Sequence, residues 1–370
     1  MIVHEIPVFE AANDDRGDFA DSDGEDDIEE GAENIDRYFE GLYYPICIGE
    51  ILSGRYRIIH KLGHGGFSTV WMAYDTSLHK DVALKIMIPG NSGEQEYHMH
   101  KEIAQSVSDT SSLLLYEETF ILHAPSNIQH RVLVLPLLGP NIRDSRFSKT
   151  PVKIRMSAAV QLLWTLKSLH DGGIVHCDLN DANVLYRLSS LNSRLSTTDK
   201  YKLLGRPQKL PLQPKQWRPG ELLLPMKPQK HLIDSKIMLG DFGLAIEATT
   251  MRGTRFQSPA IFCAPERFHQ QDPTFASDIW SYMCLFAELY IDMPLFHGIM
   301  HSTVITCIAN TLGPLPVSWK GQYDAHDPRD DTWYDSQRLL HPWRDLEAVV
   351  KRLRPDVGPA ERKLVLSILR

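Results

Sequence analysis

Residues 174–185 read IVHCDLNDANVL. Within this stretch Asp178 stands two residues after His176 and five residues before Asn183. Further along the chain, residues 239–243 read LGDFG, so that Asp241 directly precedes a phenylalanine and a glycine. The order H-x-D-x-x-x-x-N followed by D-F-G predicts a fold that brings two loops, and the three polar side chains on them, to one place.

These three side chains have the chemistry that transfer of a phosphoryl group requires. Asp178 is the candidate general base, which accepts the proton of an attacking hydroxyl group. Asn183 and Asp241 offer oxygen atoms, and Mg²⁺ typically binds through one or two carboxylates together with phosphate and water. Because His, Asp and Asn are also ordinary loop residues, the loop alone leaves a chance match open.

Charge is unevenly distributed along the 370 residues. Residues 1–36 carry 14 acidic side chains and one basic side chain, Arg16. The remaining residues hold 33 acids and 38 bases, so the net charge of −8 belongs to the N-terminal segment. Since such acidic runs are usually disordered, we predict an acidic disordered tail over residues 1–36. Binding of a basic partner is the alternative interpretation.

The composition also limits the class of protein. A hydrophobic fraction of 43% permits a sizeable core, and the length suits one two-lobed enzyme or two to three domains. The five cysteines show no C-x-x-C pair and no metal-binding spacing, which favours a reducing intracellular compartment. We expect no membrane-spanning helix, because no apolar run approaches about eighteen residues. The N-terminus lacks the basic flank and apolar run of a secretory signal.

A glycine-rich turn lies near the start of the body, after a leader over residues 41–54. It holds Gly63, Gly65 and Gly66 and separates two of three β-type runs, at residues 56–62, 69–74 and 82–87. Glycines let backbone N–H groups approach phosphate closely, although a hairpin alone would also favour glycine. Lys85 follows in the run VALK, and this spacing favours a phosphate-binding lysine over an edge-strand lysine.

A helix over residues 91–107 should supply the carboxylate that pairs with Lys85. We select Glu102, while Glu94 and Glu96 are rivals that fall nearer to the expected helix start. Two further strands, at 113–123 and 130–138, complete a small sheet. Other candidate nucleotide contacts are apolar residues that by default would simply be core; they are Leu62, Val70, Ala83 and Leu185, together with the backbone N–H of Leu138.

The second half reads as mostly helical. Ile154, Ala158, Leu162, Leu166 and Leu169 share a stripe of helical period, which predicts a helix over residues 152–170. Residues 189–235 are rich in Ser, Pro, Lys and Arg, and we predict an inserted, partly extended basic loop. A strand over residues 236–240 leads into D-F-G, helices are expected over 277–290 and 359–370, and the run SDIWS suits a helix N-cap.

The order G-x-G-x-x-S-x-V, VALK, HCDLNDAN, DFG, APE and DIWS resembles that of the eukaryotic protein kinases. Within them the chain is similar to the SR-protein kinases, in particular to compact fungal forms. The finer likeness rests on the leader from residue 29 to 56, on Ser68 in place of a third glycine, on the insertion at 189–235 and on the run LGPLP at 312–316. The resemblance covers residues 29–370.

This resemblance implies an α+β, two-lobed protein kinase fold. The N-lobe (residues 37–138, with the leader) would be a small antiparallel β-sheet with one main helix, and the C-lobe (139–370) would be mostly helical and truncated. The implied activity is transfer of the ATP γ-phosphoryl group, with Mg²⁺, to serines of Arg/Ser-rich or other basic proteins. The implied protein is a monomer of cytoplasm and nucleus without direct nucleic acid or membrane partners. Asp324, Asp327, Asp330, Asp331 and Asp335 form either an acidic groove for such substrates or a solvated loop.

Three positions depart from the family pattern. Asn180 replaces a lysine that contacts the γ-phosphate, so a term of electrostatic stabilisation is lost unless another cation substitutes. Cys177 replaces an arginine, and we predict that the active conformation needs no activation-loop phosphate. The chain ends at Arg370, before the arginine that pairs with the glutamate of A-P-E, so Glu266 needs another partner such as Arg362.

Two other functions remain open. A pseudokinase or scaffold is suggested by Asn180 and by the C-terminus. A small-molecule kinase of the aminoglycoside type also carries H-x-D-x-x-x-x-N, but A-P-E and D-I-W-S argue against it because they serve a protein-substrate loop.

Overall fold

The computed structural model describes residues 15–144, 150–189, 195–212, 217–250, 259–323, 330–337 and 342–369. The chain divides into two compact units. The first unit comprises Met1–Glu94, Leu115–Gly139 and Leu188–Ile233, and the second comprises Gln95–Leu114, Pro140–Arg187 and Asp234–Arg370. One unit is mainly β and the other mainly helical, as the α+β interpretation requires.

The elements follow one another along the chain in this order. The first half holds β1 (Asp18–Phe19), α1 (Ser22–Gly31), α2 (Asp36–Phe39), β2 (Ile51–Leu52), β3 (Tyr56–Gly65), β4 (Ser68–Asp75), β5 (Lys80–Met87), α3 (Asn91–Ser106), β6 (Glu118–His123) and β7 (Gln129–Pro136). The second half holds α4 (Val152–Asp171), β8 (Ile174–Val175), β9 (Val184–Leu188), α5 (Thr197–Leu204), β10 (Gln208–Pro211), β11 (Glu221–Leu223), β12 (Ile233–Leu239), β13 (Ile246–Glu247), α6 (Phe275–Ile291), α7 (His301–Leu312), α8 (Asp330–Trp333), α9 (Leu346–Leu353) and α10 (Pro359–Leu369). In the part of the chain that is described, no helix is long and apolar enough to cross a bilayer.

The first unit is built on a six-stranded antiparallel sheet in the order β2-β3-β4-β5-β7-β6. Side chains alternate between its two faces, and one face buries Trp71, Leu84 and Val134 in a common core. The predicted leader lies on this core through Tyr44 and Ile46. The strands expected from the sequence are therefore confirmed, except that β6 begins later because residues near 113 pair with β12 instead.

The predicted disordered tail is wrong for residues 15–36. This segment forms β1, α1 and the start of α2, while residues 1–14 lie outside the described residues. Ile28 on α1 and Tyr38 on α2 are buried with Leu222 of β11, and Asp18 of β1 pairs with Arg206. A few apolar side chains at helical spacing thus order a stretch whose average composition is that of a disordered chain.

The prediction of a loose inserted loop within the C-lobe is also wrong. Residues 195–212 and 217–235 form α5, β10, β11 and the start of β12, and those up to Ile233 belong to the first unit. Tyr201 and Leu204 of α5 pack against Ile59 and Met72 of the sheet. Two lysines of the insertion are buried in ion pairs: Lys200 pairs with Asp81 at 2.6 Å, and Lys209 pairs with Glu221 at 2.7 Å.

The first unit has an edge at Gly139, one residue after the predicted lobe boundary at residue 138. Most of α3, however, counts with the second unit, since the first unit stops at Glu94 before resuming at Leu115. The two units therefore do not coincide with the predicted lobes along α3, and the lobe boundary after β7 stays a prediction.

The second unit is organised around α4 and α6. Ala158, Leu162, Leu166 and Leu169 of α4 are buried as the periodicity predicted, while Ile154 at the helix start is partly exposed. Helix α6 begins at Phe275, two residues before the predicted start, because Thr274 and Ser277 form a reciprocal capping box. Its far end joins a core with α9 and α10, which includes Tyr290, Val350 and Leu366.

One buried ion pair ties the leader to the sheet in the first unit. The ammonium group of Lys61 on β3 contacts the carboxylate of Glu33, and neither side chain is exposed to solvent. The hydroxyl group of Tyr38 donates to the same carboxylate, and the ammonium group lies 4.1 Å from the centre of the Trp71 ring. Burial opposes the charge, but Lys61 outweighs it and holds the pKa of Glu33 below its ordinary value.

Replacing Lys61 by methionine should lower the free energy of unfolding by about 3–5 kcal/mol, because Glu33 then stays buried without its cation. The double variant Lys61→Met/Glu33→Leu should recover most of that loss. Lys80→Met is the matched control, since its pair with Glu117 is 41% and 43% exposed, and it should cost at most about 1 kcal/mol. Urea unfolding followed by tryptophan fluorescence measures all three. Equal stability of Lys61→Met and the unaltered protein would contradict the role given to the pair.

Candidate active site

The H-x-D-x-x-x-x-N segment forms a tight loop in the second unit. It leaves β8, which pairs antiparallel with β13, and enters β9. His176 is fully buried, and its Nε2 lies 3.1 Å from the carbonyl oxygen of Gly240, just before D-F-G. Cys177 has a φ of 65°, a left-handed conformation that a non-glycine residue adopts only when its surroundings impose it.

A buried carboxylate imposes that conformation. Asp278 on the first turn of α6 accepts hydrogen bonds from the backbone N–H of His176 at 2.7 Å and of Cys177 at 3.0 Å. The imidazole Nε2 of His170 at the end of α4 lies 2.9 Å from the same carboxylate. The aspartate of D-I-W-S therefore anchors the loop to α6 and, through His170, to α4.

The loop holds the carboxylate of Asp178 between two amide side chains. Asn180 Nδ2 donates to Asp178 Oδ1 at 3.1 Å, and Asn183 Nδ2 donates to Asp178 Oδ2 at 3.1 Å. Both amides also donate to the backbone carbonyl of Asp178, at 3.0 and 2.8 Å. This arrangement fixes the carboxylate in one orientation and stabilises its charged form, which is the form that a general base needs.

Asn180, the departure at the lysine position, is an internal brace of this loop. Its side chain is buried, and besides contacting Asp178 its oxygen accepts from the backbone N–H of Ala182 at 3.0 Å. A cation nevertheless lies against the loop: Arg143 donates from Nε and Nη2 to Asp181 Oδ1 at 3.0 and 2.7 Å. Its side chain is half exposed, and its hydrogen bond to Asp181 raises the pKa of the guanidinium.

The metal-ligand candidates Asn183 and Asp241 are brought together. The backbone N–H of Gly240 donates to the carbonyl oxygen of Asn183 at 2.9 Å, which joins the start of β9 to the end of β12. Because Asn183 Nδ2 donates to Asp178, the amide oxygen is the atom of this side chain that can bind a cation, and Asp241 is exposed. Such a pair of oxygen ligands fits Mg²⁺ completed by phosphate and water. No group of three or more His, Cys, Asp or Glu ligands occurs elsewhere among the described residues.

The phenylalanine of D-F-G is buried between two histidines of the same unit. The ring centre of Phe242 lies 5.3 Å from that of His176 and 5.4 Å from that of His100 on α3. These two ring contacts, one edge-on and one tilted, link α3 to the catalytic loop. His100 was not among the site residues expected from the sequence, although it lies on one helical face with Met99, Ile103 and Val107, all of which are buried.

That same face carries Glu96 and not Glu102. Glu96 is 2% exposed, and its Oε1 lies 3.6 Å from His100 Nε2. A Cβ atom placed on Gly243 would lie 3.4 Å from Glu96 Oε2, so this carboxylate adjoins the D-F-G segment. Glu102 is only partly buried, with its backbone carbonyl accepting from the Ser106 hydroxyl group. Pairing of Glu102 with Lys85 stays a prediction, and the burial pattern favours its rival Glu96.

The phosphate-binding candidates lie on adjacent strands of the first unit. Gly63 of β3 is opposite Val70 of β4, and Val70 is opposite Lys85 of β5. Opposite residues share a face of the sheet, so Val70, Lys85 and Ala83, two residues before Lys85, point to the same side. Lys85 is 8% exposed, which excludes a solvated edge-strand lysine. Its strand is internal, between β4 and β7.

The turn glycines are not required by the protein itself. A Cβ atom placed on Gly63, Gly65 or Gly66 would meet nothing within 4 Å, and none of the three has a positive φ. Neither packing nor backbone strain therefore explains them. Close approach of a ligand to the backbone does, as expected for a phosphate-binding turn.

The structure describes the remaining apolar candidates but only part of the acidic cluster. Leu62 is half-buried and Leu138 buried in the first unit, whereas Leu185 lies in the second unit, half-buried and bridged to Asn141. Asp335 is exposed, whereas Asp324 and Asp327 lie outside the described residues, and the side chains of Asp330 and Asp331 are not described either.

The predicted substitute partner of Glu266 is wrong. Arg362 donates from Nη2 to the carbonyl oxygen of Val357, while Glu266 accepts from the hydroxyl group of Ser277 at 3.1 Å. The glutamate of A-P-E therefore contacts the capping-box residue at the start of α6. A single hydroxyl donor replaces the cation that the resemblance led us to expect.

Comparison with known proteins agrees with this geometry. The serine/threonine-protein kinase SRPK of Physarum polycephalum is 28% identical over 299 residues, which are 74% of this chain and 67% of that protein. SRSF protein kinase 3 of Mus musculus is 31% identical over 173 residues, 44% of this chain and 30% of its own. The probable serine/threonine-protein kinase clkA of Dictyostelium discoideum is 25% identical over 75% of this chain and 29% of its own. Against the latter two, the chain spans less than a third of the relative's length.

The fold agrees as well. The crystal structure of another kinase domain matches with a TM-score of 0.62 at 18% identity, over 89% of this chain and 94% of that chain, which confirms the fold. The family model described as protein tyrosine and serine/threonine kinase matches residues 56–312. Because that match covers more than half of the chain, this protein belongs to the protein tyrosine and serine/threonine kinase family.

Proposed function

We propose that this protein is an ATP- and Mg²⁺-dependent serine/threonine protein kinase that phosphorylates serines of Arg/Ser-rich or other basic proteins. The observation that carries the proposal is the carboxylate of Asp178, held by two amides in a loop anchored to the buried Asp278. A scaffold needs no such orientation of an ionised carboxylate, whereas proton abstraction from a hydroxyl group does.

Each residue has a defined part in the proposed reaction. Asp178 accepts the proton of the substrate serine as the serine oxygen attacks the γ-phosphorus, and the bond between the γ-phosphorus and the β,γ-bridging oxygen breaks to release ADP. Asn183 and Asp241 hold Mg²⁺, which would neutralise the charge that develops on the phosphate oxygens. Lys85 and the glycine-rich turn bind the phosphates of ATP. Val70 and Ala83 lie on the Lys85 face of the sheet, where they would contact the adenine ring together with Leu138 and Leu185.

The absent lysine at position 180 does not remove all positive charge from the loop. Arg143 is held by Asp181, which adjoins Asn180 in the sequence, and half of its side chain faces solvent. A guanidinium at this position would stabilise the negative charge of the transferring phosphate from a different direction than a lysine at position 180 would. The role of Asn180 is then to orient Asp178.

Two observations support the proposed substrate class. The relatives named SRPK and SRSF protein kinase support the likeness to SR-protein kinases. Helix α1, which precedes most of the leader, also carries exposed carboxylates, which attract basic polypeptides over long range; they are Glu25, Asp26, Asp27, Glu29 and Glu30.

Asp178→Asn should abolish transfer of labelled γ-phosphate to an Arg-Ser repeat peptide, with kcat lowered about 10²–10⁴-fold, because an amide cannot accept the proton. Binding of MgATP should persist, since Asp178 is not among the proposed metal ligands. A Glu-Ser repeat peptide is the matched substrate control and should be phosphorylated poorly by the unaltered protein. Equal background from the unaltered protein and the variant would favour the scaffold, and equal use of both peptides would overturn the substrate class.

Glu96→Gln and Glu102→Gln separate the two candidate partners of Lys85. Loss of the buried carboxylate at 96 should lower kcat/KM at least about tenfold, the cost of one charge-assisted hydrogen bond, whereas Glu102→Gln should leave it within about twofold. Steady-state kinetics with the Arg-Ser peptide gives both values. The reverse order of effects would reinstate Glu102.

Treatment with a protein phosphatase should leave the rate of peptide phosphorylation unchanged. Cys177 provides no cation to hold an activation-loop phosphate, and its backbone is already fixed by Asp278. Intact-mass spectrometry before and after treatment verifies that phosphate has been removed. A rate that falls to background after dephosphorylation would contradict this account of Cys177.

A further inference from the structure

Two leader side chains contact the glycine-rich turn directly, and the reaction described above does not use them. Arg37 of α2 donates from Nη2 to the carbonyl oxygen of Gly66 at 2.7 Å. The hydroxyl group of Tyr43 donates to the carbonyl oxygen of Gly65, also at 2.7 Å. The guanidinium carbon of Arg37 lies 4.8 Å from the centre of the Tyr43 ring, so the two side chains support each other. We call this pair the leader clamp.

The leader clamp is itself held in place by buried contacts. The Tyr43 ring is buried and packs edge-on against Tyr38, with 5.4 Å between the ring centres. The hydroxyl group of Tyr38 donates to Glu33, the buried partner of Lys61 on β3. The carbonyl oxygen of Arg37 accepts from the N–H of Leu42 and of Tyr43. The clamp is therefore part of the folded first unit and can transmit its rigidity to the turn.

The direction of these hydrogen bonds has a consequence for the turn's N–H groups. Within one trans peptide unit the C=O and the N–H point in opposite directions. When Tyr43 holds the carbonyl of Gly65, the N–H of Gly66 points away from the leader. When Arg37 holds the carbonyl of Gly66, the N–H of Phe67 points away as well. Within the described part of the chain, neither N–H donates to another backbone carbonyl.

We propose that Arg37 and Tyr43 are positioning residues that present the N–H groups of Gly66 and Phe67 to the phosphates of ATP. This inference rests on the proposed function, because nucleotide binding at this turn is part of that proposal. Successive outward N–H groups form a concave site suited to an anion. Glycine has more conformational freedom than any other residue, so a turn with three glycines is flexible when nothing holds it. Because the leader clamp holds two of its carbonyl groups, the turn loses less conformational entropy when phosphate binds.

Tyr43→Phe and Arg37→Met test the inference, because each removes the donor and keeps most of the packing. Calorimetry on the full chain should show that the affinity for MgATP falls about threefold to tenfold in each variant, the range of one hydrogen bond. The affinity for adenosine, which has no phosphates, should stay unchanged. In steady-state assays KM for ATP should rise by the same factor while kcat changes little.

Tyr44→Phe is the matched control. Tyr44 is the next leader residue and is also buried, but its hydroxyl group accepts from Arg218 of the insertion and does not contact the turn. This variant should bind MgATP and adenosine like the unaltered protein.

The outcomes are distinguishable. Unchanged MgATP affinity in both clamp variants would overturn the inference alone. A parallel loss of MgATP and adenosine affinity would also overturn it, because it would indicate a general structural role. Failure of the unaltered protein to bind MgATP would overturn the proposed function and this inference with it.

Discussion

The catalytic loop depends on one buried carboxylate. Asp278 accepts the backbone N–H groups of His176 and Cys177, and it contacts His170 as well. Without it, two buried donors would lack partners and the left-handed conformation of Cys177 would lose its support. Asp178 follows Cys177 in the chain, so a fixed backbone at Cys177 also fixes the direction in which Asp178 points. The proposed reaction thus depends on hydrogen bonds accepted by Asp278, whose own atoms take no part in the reaction.

In the first unit, elements that precede and interrupt the kinase motifs are structural parts of the sheet. The leader is joined to β3 through Glu33 and Lys61 and to the glycine-rich turn through Arg37 and Tyr43. The insertion adds β10 and β11, which with β1 form a separate three-stranded sheet. Residues 15–36 and the insertion have the composition of disordered segments, yet both contribute to the core of the first unit. The leader also contacts the candidate phosphate-binding turn.

The sequence made Asp178, Asn183, Asp241 and Lys85 candidate site residues, because phosphoryl-transfer chemistry tolerates little variation in the order and spacing of such groups. Their roles stay predictions. Sequence reasoning also identified the main strands and helices because their apolar periods of two and 3.6 residues match real burial. Predictions from the sequence were wrong for segments whose structure is decided by packing against residues far away in the chain. The order of residues 15–36 depends on Ile28 and Tyr38 meeting strands some 180 residues away in the chain, such as β11.

The choice between Glu96 and Glu102 as the partner of Lys85 is a second case in which the sequence alone was not sufficient. Distance from the expected helix start favoured Glu102, but the buried face of α3 passes through Glu96, Met99, His100 and Ile103. That stripe was present in the sequence, yet two polar members hid it from a search for apolar residues. The role of Asn180 as a brace could not be inferred either, because it depends on which way an amide side chain turns.

The anchoring of the catalytic loop by Asp278 is tested most directly by amide hydrogen exchange. In Asp278→Ala, exchange at the N–H groups of His176 and Cys177 should accelerate at least about tenfold, since each loses a hydrogen bond to a charged acceptor. Amides of β5 in the first unit, such as that of Leu84, should exchange as in the unaltered protein. Unchanged protection of His176 and Cys177 in the variant would contradict the account.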